Sequence, residues 1–503
     1  MQPGRDRQLV TAALMLGSFL AAFEATAVAA AVPTAVGEMG GVERYSWVFS
    51  AYLLTSTTTV PLFGKLADLY GRRKVYHVSV ALFLLGSALS GMAGSLSQLI
   101  LFRAIQGLGA GGVNPLTITI AGDIYNLKER GRMQGLFSSV WAFSSLSGPL
   151  LGGWITDALS WRWIFYLNIP FGIASSLILH RFLREAKPRT KHRLDILGTV
   201  SLTTAVTLLL LGLIEGPDVW GWSDVRTIGL FAGSLAALIL FLWQEQRAEE
   251  PMLPLDLFRN RLISVASAGN LLIGVFLYAL TAYVPVFAQG VLGGSAFDAG
   301  MALMPVLVGW PIASTLSGRM LMRSGYRVLA IGGGVLLVAG SFLLAHVGPA
   351  TTRTDIMISM MVIGLGLGFT SMPYLLGPQN AVPWGRRGVV TSGVQFFRAI
   401  GGAVGVAALG ALFTARLKAV APGANPNTAF EPALRAHATP ETLARLSGAL
   451  LHSLQGVYFV LAVLGAITCA IAFLFPGGDV TSHVHREGRE GLEEEAAAFP
   501  VGH

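Results

Sequence analysis

The chain has 503 residues and a single cysteine, Cys469, so it can form neither an internal disulfide nor a zinc site of cysteines. Charge is nearly as scarce. Only 12% of residues are Asp, Glu, Lys or Arg, about half the share of a soluble globular protein. Within the long apolar runs acids all but vanish, and Glu24 is the one carboxylate placed well inside such a run. No membrane-embedded serine and histidine, no paired aspartates and no metal-ligand cluster is found. His180, His346 and His452 fall near the ends of apolar runs, where interfacial anchoring accounts for them. An enzyme is therefore not expected, and neither is a cofactor or a bound metal.

What the chain does have is hydrophobicity, 53% of its residues, gathered into runs. At about 20 apolar residues per crossing, the runs predict an all-α, polytopic membrane protein. Fourteen spans centre on 9–32, 46–66, 75–95, 98–121, 134–157, 163–182, 195–214, 226–243, 263–288, 299–320, 328–346, 355–377, 388–414 and 454–475. The first, Leu9 to Val32, is too long for a cleavable signal and carries Glu24, so it is read as a retained span. A net charge of +8 would suggest nucleic acid in a soluble protein, but here the basic residues sit in short connections and set orientation instead. An even number of spans and the Lys/Arg bias predict both termini in the cytoplasm, with the lipid bilayer as surroundings.

The largest basic cluster, Arg181, Arg184, Lys187, Arg189, Lys191 and Arg193, follows the sixth span and marks a boundary. The expected organisation is a six-span bundle over 1–187, a basic linker with an inserted pair of spans over 188–250, and a second six-span bundle over 251–476. An external loop is expected over 415–453. In it Thr439-Pro440-Glu441 reads as a helix start, predicting a short amphipathic surface helix from Ala444 to Leu451. The tail 477–503, with His483, His485, His503 and Glu493 to Glu495, is polar and is expected to be disordered rather than a metal site.

Between the second and third spans lies Gly64-Lys-Leu-Ala-Asp68-Leu-Tyr-Gly71-Arg72-Arg73-Lys74, a tight basic turn. Its glycines let backbones approach and bend, and its basic residues hold it on the cytoplasmic side. A weaker echo runs from Gly318 through Arg323 and Gly325 to Arg327, so two related halves are expected. Glu24 lies about 15 residues into the first span, within roughly 10 Å of the outer edge, and Arg103 enters the fourth span about 8 Å below the same edge. Depth thus permits the two to be neighbours. An acid at bilayer depth costs about 2.5–3.5 kcal/mol and needs a purpose. Burial opposes its charge while a guanidinium supports it, a balance suited to loading and releasing a proton; the bland alternative is a snorkelling or permanently paired glutamate. Arg103 opens a glycine-dense run, Gly107, Gly109, Gly111 and Gly112, which suits close helix packing. Without a strand-and-helix context it is no nucleotide site. In the fifth span Gly148-Pro149, followed by Gly152-Gly153, predicts a kinked, gated helix.

Taken together these stretches resemble the EmrB/QacA type of fourteen-helix drug:proton antiporter within the major facilitator superfamily. The likeness is carried by Phe23 to Pro33, Gly64 to Lys74, Arg103 to Gly112, and Gly148-Pro149 with Gly152-Gly153. It extends through Trp161-Arg162-Trp163 to Asn168-Ile-Pro170 and Gln395-Phe-Phe-Arg398 to Gly402. The resemblance implies that Gly64, Asp68, Gly71 and Arg72 belong to a cytoplasmic gate. It implies that Arg103 takes part in proton transfer with Glu24, and that Gly148-Pro149 favours export. Two departures stand out: Glu24 where the family more often has aspartate, and Ser144 where glycine is usual.

Candidate substrate contacts are Phe23, Gln106, Asn114, Asn270, Tyr283, Met304, Trp310, Met361, Met372, Tyr374, Gln395 and Arg398, since aromatic, methionine and amide surfaces adapt to varied lipophilic ligands. With no second mid-membrane acid in the last six spans, neutral or singly charged lipophilic cargo is expected over dications. The resulting expectation is a monomeric, proton-coupled exporter of lipophilic or cationic compounds in the cytoplasmic membrane. The alternatives are a lipid or lipid-precursor flippase of the same fold, a nutrient symporter, and a receptor that transports nothing.

Overall fold

A computed structural model describes residues 4–125, 127–183, 195–216, 220–249, 251, 253–382, 387–422, 426–430 and 432–476. Every regular element among them is helical: α1 (Gly4–Met39), α2 (Tyr45–Tyr70), α3 (Arg72–Gly91), α4 (Leu96–Ile124), α5 (Leu127–Ala158), α6 (Arg162–Phe182), α7 (Ile196–Ile214), α8 (Val225–Glu245), α9 (Arg261–Val286), α10 (Ala296–Ala345), α11 (Arg353–Asn380), α12 (Arg387–Val420), α13 (Pro432–His437) and α14 (Pro440–Ala472). The basic stretch from Arg184 to Arg193 and the tail 477–503 lie outside the described residues.

Among the described residues eleven helical stretches are long and apolar enough to cross a bilayer, so the chain is a multi-pass membrane protein; that number does not confirm the expected fourteen. Outside that set, besides the six-residue α13, are the long helices α2, α4 and α5, of 26, 29 and 32 residues. They have the length, but hydroxyls and glycines replace apolar side chains along them, as in Thr55-Ser56-Thr57-Thr58-Thr59 of α2. Those residues face protein. Thr55 Oγ1 donates to the Ala104 carbonyl at 2.8 Å and Thr59 Oγ1 to that of Leu108 at 3.3 Å, both across to α4. Opposite them, a Cβ on Gly107 would stand 2.5 Å from the Tyr52 carbonyl oxygen, so only glycine permits this approach.

α10 contains two of the expected spans, joined at Gly325, whose backbone (φ 73°, ψ 168°) departs from helix. Gly71, between α2 and α3, takes a related conformation (φ 94°, ψ 141°). Both lie where only glycine is comfortable, so the repeated motif repeats in backbone conformation as well as in sequence.

The separate surface helix expected over Ala444 to Leu451 is not there. α14 starts at Pro440 and runs unbroken to Ala472, and α12 extends to Val420, which shortens the expected 415–453 loop. A continuous helix satisfies its own backbone groups on entering the apolar layer, whereas a break there would strand them.

Contacts divide the chain into two compact units. One comprises Met1–Met252, Tyr278–Met304 and Ala403–Gly456; the other comprises Leu253–Leu277, Pro305–Gly402 and Val457–His503. In the first, α1 packs on α4, α5 and α6, α4 on α2 and α3, and α7 on α8 and α2. Its core is built on Val10, Leu14, Phe63, Tyr76, Phe83, Val113, Leu116 and Leu179. In the second, Tyr374 stacks on Phe475, and a smaller cluster joins Leu257, Ile263, Val382 and Val390.

Candidate functional site

Four helices of the first unit converge on Glu24. The side chain is fully buried on α1, and Arg103 of α4, 2% exposed, donates from Nη1 to its Oε1. The second carboxylate oxygen accepts from Asn168 Nδ2 of α6 at 2.6 Å. Arg103 is held further: Nη1 also donates to Gln106 Oε1 at 2.7 Å, Nε to the Val48 carbonyl at 3.3 Å, and the guanidinium lies 4.2 Å from the centre of the Tyr52 ring. Ser87 of α3 closes the network. Its hydroxyl accepts from Gln106 Nε2 at 3.2 Å and from Asn168 Nδ2 at 3.0 Å, and donates to the Phe165 carbonyl at 2.8 Å. The charges sum to zero, and each ionised group is hydrogen-bonded as well as paired, which a buried pair requires.

Depth permits Glu24 and Arg103 to be neighbours, and here they are hydrogen-bonded; Gln106, a candidate substrate contact, is bound to Arg103. Asn168 and Ser87 had no assigned role. The signal that finds Asn168 is the one that finds Glu24, a polar side chain well inside an apolar span; Ser87 carries none.

Gly148 and Pro149 sit where α5 crosses α1. Thr26 Oγ1 reaches the Ser144 carbonyl at 3.3 Å, and a Cβ on Gly152 would lie 2.5 Å from the Ala27 carbonyl oxygen. The Ser144 hydroxyl, where glycine is usual, is buried and finds no partner among the described residues. Toward the Ala158 end of α5, Asp157 accepts from the backbone N–H of Ala296 at 3.1 Å and of Phe297 at 2.9 Å, capping the start of α10. Near the Met39 end of α1, Gln289 donates to the Ala30 carbonyl at 2.9 Å and accepts from Thr34 at 3.0 Å. Tyr45 Oη donates to the Ala282 carbonyl at 2.6 Å, and Ser50 Oγ to that of Ala403 at 3.3 Å. The bonds of Gln289, Tyr45 and Asp157 lie on the Met39 side of Glu24, and that of Ser50 near its level.

In the basic turn, Gly64 is open to its surroundings, with nothing within 4 Å of an added Cβ. Arg72 is half-buried at the start of α3, and Arg73 reaches the Leu183 carbonyl at 3.4 Å. The side chain of Asp68 lies outside the described residues.

The remaining candidates scatter. In the first unit Phe23 is buried and stacks on Phe19, Tyr283 is buried with its hydroxyl on the Val406 carbonyl at 2.8 Å, and Asn114 and Met304 are half-buried. In the second, Asn270 donates to the Ala266 carbonyl at 2.9 Å and to that of Tyr374 at 3.1 Å, and Tyr374 is fully buried. Trp310, Met361, Met372 and Arg398 are half-buried there, and Gln395 is exposed. Among the described residues no group of His, Cys, Asp and Glu forms a metal site.

A family model described as Major Facilitator Superfamily matches residues 14–406. The chain is similar to the multidrug transporter protein MdtP of Bacillus subtilis (strain 168), 36% identical over 410 residues that cover 82% of this chain and 76% of that protein. It is also similar to multidrug resistance protein 3 of the same strain, 32% identical over 487 residues, covering 93% and 95% of the two chains. Among solved structures, a bacterial homolog of the human lysosomal transporter Spinster, in an inward-facing and unoccupied conformation, superimposes with a TM-score of 0.67 at 16% identity, covering 94% of this chain and 98% of that one. The D-xylose-proton symporter gives 0.64 at 14%, with 94% and 98% covered. At such identities these two likenesses concern the fold alone.

Proposed function

We propose that this chain, which belongs to the Major Facilitator Superfamily, exports lipophilic or singly cationic compounds across the cytoplasmic membrane in exchange for protons. Relatives named as multidrug transporters, matched over most of the chain, support the cargo class. The observation that carries proton coupling is the buried Glu24 held between Arg103 and Asn168. A carboxylate so enclosed changes its protonation only when a route to water opens, and such gating is what alternating access supplies.

Both termini are taken as cytoplasmic, with two six-helix bundles flanking the α7 and α8 pair. The seal made by Tyr45, Gln289 and Asp157 then lies on the external side, and the Gly64 to Lys74 turn, with Asp68 and Arg72, gates the cytoplasmic side. In the cycle, Glu24 takes up a proton when the external seal opens, which removes the counter-charge of Arg103. After closure and cytoplasmic opening, the proton leaves as cargo binds. Arg103 keeps Gln106, the Val48 carbonyl and the Tyr52 ring throughout, so it stays in place while its partner changes charge. Within the first unit the half-buried Asn114 and Met304 are the candidates for cargo contact; within the second they are the half-buried Met361, Met372 and Arg398 and the exposed Gln395.

The test is Glu24→Gln in proteoliposomes under an imposed pH gradient. The variant is expected to insert and fold yet lose gradient-driven movement of ethidium, a lipophilic monocation. Full retention of gradient-driven movement would remove Glu24 from the coupling step.

A further inference from the structure

The amide of Asn168 is buried, 1% exposed, and only half used. Its two N–H groups have two acceptors, Glu24 Oε2 at 2.6 Å and Ser87 Oγ at 3.0 Å. Its carbonyl oxygen, Oδ1, finds no donor among the described residues. A buried acceptor left bare is costly and calls for a reason, of which a role in the chemistry of the site is one.

We infer that Asn168 is the positioning residue that follows the charge of Glu24, donating to the carboxylate and, after a half-turn of its amide, accepting from the carboxylic acid. This rests on the reading that Glu24 carries the coupled proton. A carboxylate only accepts, whereas a carboxylic acid brings one O–H donor, so a fixed N–H facing Oε2 would oppose the incoming proton. The terminal torsion of asparagine is broad and roughly two-fold, and the half-turn brings Oδ1 to Glu24. The now unbonded carbonyl thereby becomes the acceptor for the acid.

Ser87 can follow. Its hydroxyl donates to the Phe165 carbonyl in this state and can turn toward Oδ1 in the other, still accepting from Gln106 Nε2. No proton is gained or lost by either side chain, and the one that moves comes from and returns to solvent through Glu24. Among the described residues the charged and titratable groups around the pair are Arg103 from α4 and Tyr52 from α2, with Tyr278 packed against the same core cluster as Tyr52. From α3 and α6 the facing groups are the uncharged Ser87 and Asn168, and α5 meets α1 through Ser144, Gly148 and Gly152.

The experiment follows the carboxylic-acid C=O stretch of Glu24 by pH-difference infrared spectroscopy in reconstituted protein, assigned as the band absent from Glu24→Gln. The substitutions are Asn168→Leu, which keeps the bulk, and Asn168→Ala, which serves if the leucine variant does not insert. Without the amide acceptor the band is expected to move to higher wavenumber, and gradient-driven ethidium movement to fall about 10- to 100-fold, the loss of one hydrogen bond to a charged group. Asn168→Gln, which restores an amide, is expected to bring back part of both. A merely structural Asn168 would lower yield but leave the band of the folded fraction in place. If the wild type shows no band that Glu24→Gln removes, the proton-carrier reading itself fails. If that band exists and stands unmoved in both Asn168→Leu and Asn168→Ala, the role of Asn168 alone is overturned.

Discussion

Removing the two members of the buried pair singly and together separates a pair held in place from two charges that merely pass each other. In Arg103→Met the carboxylate of Glu24 keeps the Asn168 amide at 2.6 Å and loses its counter-charge. Stripping one partner from a buried pair costs about 3–5 kcal/mol. In Glu24→Gln the guanidinium retains Gln106 at 2.7 Å, the Val48 carbonyl at 3.3 Å and the Tyr52 ring at 4.2 Å. That loss is only the difference between a charged and a neutral acceptor, about 1 kcal/mol. The double variant leaves no unpaired charge, and such replacements run from neutral to modestly costly. The expected order of stability is therefore wild type, then Glu24→Gln close to the double variant, with Arg103→Met well below. Rescue by the second substitution should amount to about 2–3 kcal/mol. Because unfolding in detergent is often irreversible, apparent melting midpoints at one scan rate and one pH are the quantity to compare. If Arg103→Met melts with the wild type, or if adding Glu24→Gln to it recovers nothing, the two groups are not each other's partner.

Two further outcomes follow from geometry. Gly71→Ala and Gly325→Ala place a Cβ where the backbone is open only to glycine, and each is expected to lower stability by about 1–3 kcal/mol. Gly64→Ala, with nothing within 4 Å of the new atom, should be neutral or gain up to about 1 kcal/mol; equal melting midpoints for all three would contradict the assigned backbone. Gln289→Ala removes two hydrogen bonds from the Met39-side seal, worth about tenfold in the open population. An impermeant maleimide should then label a cysteine placed by Val36→Cys, in a Cys469→Ser background, about tenfold faster. An unchanged rate would mean that Gln289 does not hold that side shut.

How much of this was legible depended on how each residue contrasts with lipid. Glu24 and Arg103 stood out because ionisable groups are rare in apolar runs, and counting 1.5 Å per residue from each edge put them at one depth. Gly107 and Gly111, one helical turn apart, announced a close-packing face, and α2 occupies it. Gly325 was visible as the counterpart of Gly71. Polar but uncharged residues behaved otherwise. Asn168 shows the same contrast more weakly, as an uncharged amide inside an apolar span, Ser87 looks like many helical residues, and which helix faces which is not written in any single span. For the same reason no single span shows that the polar atoms of Tyr283 and Asn270, two cavity candidates, bond to the carbonyls of Val406, Ala266 and Tyr374. The count of fourteen spans met its difficulty in α2, α4 and α5, where hydroxyls and glycines at helix contacts, such as Thr55 and Thr59 of α2 and Gly107 of α4, take the place of apolar side chains.

A single acid is enough for exchange on this reading because of what Arg103 does to the sum of charge. With Glu24 ionised the network is neutral; with Glu24 protonated it carries the full positive charge of a guanidinium that has nowhere to go. A cation held about 10 Å away, at an effective dielectric of about 20, loses roughly 1.7 kcal/mol on that change, more than tenfold in affinity. Proton and monocation then exclude one another through space, without cargo touching the carboxylate. For neutral cargo this electrostatic contribution vanishes, and exclusion must come instead from the packing changes that accompany loss of the Glu24 to Arg103 contact. The two cargo classes should therefore differ in how steeply binding depends on pH, with the monocation the steeper.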